Sequence, residues 1–343
     1  MRARRPTVLL GLFALLLAAI LLGTLIGAVA LDWGQAALAM LQAVPGLAGV
    51  GGPVDPQVRL IVVDLRMPRV LLALFVGSAL GIAGSAMQGL LRNPLADPYI
   101  FGVSSGAAVG SAAAIAGGFI LLGPMSYPTA AFGGALLATF LVYQVARAGG
   151  TLPAETMLLA GLAIGSLLAA VASFIVFLDA RQHVNIIFWM LGSFDQASWD
   201  RVGTVAALTI AGGAAVLWKS RELNALLFGD ESAAHMGVEV DRAKTSLLFL
   251  VALLTAGAVA FAGIIGFVGV IVPHAMRLVV GPDHRFLIPA SALFGGGLLI
   301  ACDLIARSII PPTQVPVGIL TAFLGAPFFV YLLRRSRRLN SWG

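Results

Sequence analysis

Residues 245–280 read TSLLFLVALLTAGAVAFAGIIGFVGVIVPHAMRLVV, a nearly uninterrupted apolar run of 36 residues. A helix rises about 1.5 Å per residue, so a single helix of that length would reach far beyond a hydrocarbon core about 30 Å thick. The run is therefore expected to hold two membrane crossings, with the break near Ala262–Gly263. Working outward, the same length criterion marks apolar stretches at 7–31, 70–91, 99–122, 126–146, 157–178, 202–218, 245–262, 264–281, 286–307 and 316–333. The expectation is an all-α, polytopic membrane protein of ten spans, forming one transmembrane domain over 1–343. The stretch 1–31 is read as a first span and not a cleaved leader, because its apolar run exceeds a typical leader core.

Composition agrees. Hydrophobic residues make up 59% of the 343-residue chain and charged residues 10%, with a mean hydropathy of +0.99. A soluble domain carries about 25% charged residues to face water. The 41 glycines follow no collagen period and recur four apart inside the spans, as at Gly77/Gly81, Gly102/Gly106/Gly110 and Gly161/Gly165. That spacing lets helix backbones approach closely where lipid gives no hydrophobic drive to associate.

Charge orients the spans. With the N-terminus inside, 15 of the 21 Lys and Arg residues fall in inner segments: Arg2, Arg4, Arg5, Arg92, Arg147, Lys219, Arg221, Arg242, Lys244, Arg277, Arg285, Arg334, Arg335, Arg337 and Arg338. Arg59, Arg66, Arg69, Arg181, Arg201 and Arg307 fall outside. Cations accumulate on the cytoplasmic side, so both ends are expected inside. The net charge of +6 sits at loops and ends, a matter of topology that gives no support to nucleic-acid binding. Segments 64–180 and 242–334 each hold four spans but begin on opposite sides, so any repeat between them would be inverted.

Several chemistries find no support. Neither lysine, Lys219 or Lys244, follows a glycine, so the chain has no phosphate-binding G-K-[ST] loop and no ATPase site of that kind. The histidines 183, 235, 274 and 284 are scattered and no C-x-x-C or H-E-x-x-H occurs, so no metal, cofactor or catalytic residue is assigned. Met87, Met157 and Met190 are isolated and read as packing residues. The lone Cys302 has no partner for an intrachain disulfide. Span interiors are almost free of charge. The acid clearly inside one is Asp303, four residues before Arg307 on the same helix face, which reads as a local ion pair. An ion-coupled carrier usually keeps titratable groups within its spans, so the energy for any transport is expected from elsewhere.

Residues 219–244, KSRELNALLFGDESAAHMGVEVDRAK, are far more charged than the rest. Leu223, Leu226 and Leu227 form a short apolar face, Gly229 interrupts, Asp230 can start a second short helix and Gly237 can end it. Such a pair of helices either lies at the membrane interface or docks a cytoplasmic partner.

Eight runs carry a resemblance: L-R-M-P-R (65–69), G-S-A-M-Q-G-L-L-R-N-P-L-A-D-P (84–98), F-G-V-S-S-G (101–106), F-W-M-L-G-S-F (188–194), F-G-D-E-S-A-A-H-M-G-V (228–238), G-F-V-G-V-I-V-P-H-A-M-R (266–277), G-P-D-H-R (281–285) and P-V-G-I-L-T-A-F-L-G-A-P-F-F (316–329). In this order they resemble the permease subunits of type II ABC importers for iron chelates, haem and vitamin B12. The resemblance implies a subunit of the bacterial cytoplasmic (inner) membrane that pairs with a second copy of itself. Its further partners would be a cytoplasmic ATPase dimer and an external binding protein. The cargo is expected to be a ferric siderophore, with haem or a cobalamin as the alternative. The rival classes are an ion-coupled secondary transporter and an intramembrane enzyme, for which no catalytic constellation is visible. Carried over by motif, Arg66, Arg69 and Arg307 would pair with acids of the binding protein. Leu226, Leu227, Gly229, Glu231, Ala234 and Gly237 would couple to the ATPase. Asn93, Thr151, Ala154 and Glu155 would lie at the cytoplasmic gate. There Pro153, Ala154 and Glu155 replace a Ser/Thr-rich stretch of the vitamin B12 importer, so an ordinary helix start is the simpler reading for them.

Overall fold

The computed structural model describes residues 5–27, 29–47, 49–119, 121–147, 152–179, 182–310 and 313–340, with 331–340 described by backbone alone. Arg2, Arg4, Thr151 and Arg181 lie outside the described residues, as do the side chains of Arg334, Arg335, Arg337 and Arg338. All regular structure among the described residues is helical. Inner and outer below follow the charge bias of the sequence.

Helix α1 spans Arg5–Leu25 and is followed by α2, Trp33–Gln42, which the Asp32 carboxylate caps by accepting the Gln35 N–H at 2.8 Å. Helix α3 runs without interruption over Pro56–Leu90, 35 residues against the expected 70–91. Hydropathy stops at Arg66 and Arg69, but the helix continues because both guanidinium groups find partners inside the bundle. A π-helical stretch, Leu60–Arg66, precedes Pro68, and the Met67 N–H reaches back five residues to the Val62 carbonyl. Proline offers no N–H and crowds the carbonyl four residues before it, and the wider turn relieves that crowding.

Helix α4 (Val103–Ala116) has 14 residues; α5 covers Ser126–Ala146 and α6 Ala154–Leu178. The short α7 (His183–Met190) precedes α8 (Trp199–Trp218). Two short helices follow, α9 (Ser220–Leu226) and α10 (Asp230–His235). The run quoted at the outset divides into α11 (Val240–Ala262) and α12 (Val268–Val280), with Gly263 at φ 72° taking the chain out of the helix. Helices α13 (His284–Ser308) and α14 (Val317–Asn340) complete the chain.

Seven described helices are long and apolar enough to cross a membrane, and α4, α12 and Val317–Val330 are shorter apolar helices. At 14 and 13 residues, α4 and α12 span only about 20 Å each, less than a bilayer core. Each is led in by backbone outside the α-helix, 91–102 (with a 3-10 turn at Pro98–Phe101) and 263–267, of which 99–102 and 264–267 were expected to belong to the spans. Irregular backbone is stable at depth only if its polar groups are met by protein. Here the Tyr99 hydroxyl donates to the Ile265 carbonyl at 3.0 Å, joining the two lead-ins, and the Ser193 N–H donates to the Ala262 carbonyl at 2.8 Å.

Helix α3 is the axis of the bundle, packed against α8, α11, α12 and α13. Of its most apolar window 78% is buried, against 11% for α6, whose sides are left to lipid or to another chain. The glycine spacing has a direct cause. A methyl group on Gly77, Gly81 or Gly84 would overlap the carbonyl oxygen of Gly295, Ser291 or Gly269 respectively. Pro273 in α12 offers no N–H to the Gly269 carbonyl, and α3 passes over that freed group at Gly84. Gly106 and Gly110 of α4 meet the Gly134 and Ala130 carbonyls of α5 in the same way.

Candidate functional site

At the outer end, Arg66, Arg69 and Arg307 are 6%, 9% and 5% exposed, so none extends a free side chain into solvent. Arg66 donates to the Thr24, Leu25 and Val29 carbonyls at 3.2, 2.7 and 2.5 Å, closing the carbonyl end of α1. Arg69 holds Asp303 through Nε at 2.9 and 3.1 Å and through Nη2 at 2.8 Å, and its Nη1 donates to Gln314 at 2.5 Å. Arg307 lies 3.5 Å from the same carboxylate and donates to the Gly23 carbonyl. One acid thus serves two guanidinium groups, and the partial negative charge at the end of α1 serves the third. The local pair expected between Asp303 and Arg307 is present, with the closer partner, Arg69, supplied by α3. That partner is 234 residues away in the chain, beyond the reach of any local spacing rule.

Beside this cluster an outer cavity of about 580 Å³ is lined by Arg69, Asn185, Trp189, Asp195, Arg201 and Gln314 among others. Arg201, buried at the start of α8, donates to the Pro124 carbonyl at 3.1 Å and to Gln196 at 3.2 Å.

The 219–244 segment at the inner end folds as α9 and α10 joined at Gly229, whose φ is 102°; Gly237, at φ 84°, ends α10. Both glycines take backbone conformations that other residues enter at a cost. One expectation is corrected here. Leu226 offers no surface: it is 1% exposed, faces the bundle with Leu223, and anchors α9. Leu227 is half-buried, while Glu231 and Ala234 are exposed. The surface also includes Phe228 and Met236, 74% and 55% exposed, which the sequence reading passed over. Two large apolar side chains in a charged segment were the available signal.

Asn224 fastens α9 to the bundle. Its Oδ1 accepts the His284 backbone N–H at 2.9 Å and lies 2.8 Å from Nδ1, so that ring nitrogen carries the proton; its Nδ2 donates to Asp283 at 2.8 Å. Burial raises the Asp283 carboxyl, but the hydrogen bonds from Asn224 and the Arg285 N–H, with the charges of Arg285 and Arg5, hold it below its ordinary value. Asn224→Ala would leave the buried His284 donors unmet and is expected to lower stability by about 2 kcal/mol. Thermal unfolding in detergent measures this, and an unchanged midpoint would mean that α9 is held by Leu223 and Leu226 alone.

Asp230 opens α10 and receives Lys244 of α11 at 2.5 Å and Arg92, just past α3, at 3.9 Å. Of the gate expectation, Thr151 lies outside the described residues. Asn93 is exposed and its Oδ1 accepts the Leu95 N–H at 2.9 Å, a local turn. Ala154 and Glu155 form the first turn of α6, where a carboxylate favours the positive helix end. His274 Nδ1 and Arg277 Nη2 are buried with no hydrogen-bond partner among the described residues.

The fold and these features define a polytopic helical membrane protein with an apolar–acidic surface at one end and a polar cavity at the other. Among the described residues, no group of three or more His, Cys, Asp and Glu side chains could hold a metal ion. Residues 15–335 match the FecCD transport family, and the chain belongs to it. It is 48% identical to the cobalamin import system permease protein BtuC of Halobacterium salinarum over 298 residues, 87% of this chain and 79% of that protein. It is 40% identical to the hemin transport system permease protein HmuU of Yersinia pestis, over 81% of this chain and 84% of that one. The Fe(3+) dicitrate transport system permease protein FecD of Escherichia coli is 38% identical, over 81% and 86% of the two chains. Among solved structures, an inward-facing conformation of an ABC transporter described as of metal-chelate type superimposes with a TM-score of 0.83 at 31% identity, covering 96% of this chain and 99% of that one.

Proposed function

We propose that this chain is the membrane-spanning subunit of a binding-protein-dependent ABC importer and moves a bulky metal chelate inward, a ferric siderophore in the first reading. The observation that carries the proposal is family membership across residues 15–335. It is not itself an enzyme; hydrolysis belongs to a separate ATPase subunit that docks on Phe228, Glu231, Ala234 and Met236. A second reading, a cobalamin as cargo, is favoured by one observation: the 48% identical relative is a cobalamin permease.

The working unit in this proposal is a homodimer in the bacterial inner membrane, with ten spans and both ends inside. The thinly buried α6 supports a second copy beside it. The inverted repeat gains support from α4 and α12, each the second helix of its four-span block and each short and led in by irregular backbone. Paired broken helices of this kind border transport pathways. The binding protein would dock on the outer face above Arg66, Arg69 and Arg307. Since all three are engaged internally, their contribution is to hold that face in register.

Vesicles containing the complex recovered from native membranes, with its binding protein outside and ATP inside, test this directly. Uptake of a ferric hydroxamate, haemin or cyanocobalamin is expected to require ATP and to favour one of the three. Uptake that ignores ATP and follows an ion gradient would contradict the proposal.

A further inference from the structure

The inner surface that meets the ATPase must be mechanically joined to the helix that moves, or hydrolysis would not open a path. Among the described residues, the side-chain hydrogen bonds and ion pairs of α10 run through Asp230. Its Oδ2 takes Lys244 Nζ at 2.5 Å, and Lys244 also donates to the Leu152 carbonyl at 3.4 Å, two residues before α6 begins. The Lys244 side chain is only 7% exposed, whereas Asp230 is 44% exposed, so the lysine is the buried member and depends on these two acceptors. Arg92 approaches the other Asp230 oxygen at 3.9 Å from a left-handed backbone, φ 51°, rare for a residue with a side chain. Beneath it the positive φ of Gly229 turns α10 toward this point, and a Cβ there would come 3.3 Å from Arg92 Nη1.

We propose that Lys244, held between Asp230 and the Leu152 carbonyl, is the positioning residue that transmits displacement of the α9–α10 surface to the start of α6. This rests on the importer reading above. The logic is geometric. The ammonium group bridges two segments that the chain separates by 78 positions, and among the described residues no backbone hydrogen bond joins them. A compact point charge on a flexible stem can keep both acceptors through a small shift of either segment. The apolar stem and neighbours Leu247 and Leu248 carry the same position into the core of the bundle.

Lys244→Met keeps the stem and deletes the charge; Asp230, already half in water, then needs no partner, so the fold is retained. In the reconstituted complex, Lys244→Met is expected to bind and hydrolyse ATP as the unaltered complex does, while substrate moved per ATP falls about tenfold, a typical coupling magnitude. Lys244→Arg, which keeps a donor of similar reach, is expected to recover most of that ratio. Spin labels at positions 155 and 232 report the same linkage: their distance change on ATP binding is expected to shrink in Lys244→Met and to return in Lys244→Arg. An unchanged transport-to-hydrolysis ratio in Lys244→Met would overturn the proposal, and so would loss of ATPase assembly, which would make the pair a brace for the docking surface. Failure of the unaltered chain to assemble with an ATPase would instead contradict the importer reading itself.

Discussion

Replacing Asp303 by asparagine is expected to destabilise the fold by about 3–5 kcal/mol, the usual effect of removing one partner from a buried ion pair. Asp303 is 1% exposed and is the carboxylate to which both Arg69 and Arg307 turn. Asparagine preserves the volume and one acceptor, so the loss reports charge and not packing. Two guanidinium groups would remain in a bundle interior with no carboxylate, held among the described residues by Gln314, the Gly23 carbonyl and the neutral amide oxygen. Pairing Asp303→Asn with Arg69→Leu removes one stranded cation and is expected to recover part of the loss. Denaturant unfolding in detergent gives the numbers; an Asp303→Asn protein as stable as the original would mean that water reaches the cluster.

The second large effect is steric. Gly84→Val is expected to cost upward of about 3 kcal/mol and to abolish transport, because the new side chain must displace backbone and not a flexible neighbour. The Gly269 carbonyl occupies the space, and α12 carrying it is also packed against α13. Gly133→Ala, where a Cβ meets nothing within 4 Å, is the control and is expected to be neutral or slightly stabilising. Equal loss from both substitutions would show that helix packing around Gly84 is looser than described.

The ten apolar stretches and the division of the 245–280 run were legible in the sequence because length in a bilayer is a hard constraint. The break at Ala262–Gly263 falls where α11 ends. What hydropathy could not see was backbone geometry. An apolar run reads the same whether it is helical throughout or enters its helix through an irregular segment braced by neighbours, and so α4 and α12 were read too long. The start of α3 was read too late for the opposite reason. Arg66 and Arg69 look like a boundary until their partners on α1 and α13 are known, and those partners are distant in the chain. In the 219–244 segment, the turns at Gly229 and Gly237 follow from residue type, whereas the inward direction of Leu226 depends on where α3 and α13 lie. Lys244, counted only as an inner cation, acquired a role once Asp230 and Leu152 were placed around it.

The central claim is that the energy for transport is supplied by a separate ATPase bound at the α9–α10 surface. The most direct test isolates the tagged chain from its native membranes under mild conditions and quantifies what remains bound, comparing the unaltered chain with Phe228→Asp. A Walker-type ATPase in one-to-one ratio with the chain, lost from Phe228→Asp while the spans stay folded, is the expected result. A preparation that takes up substrate with no ATPase bound would contradict the claim.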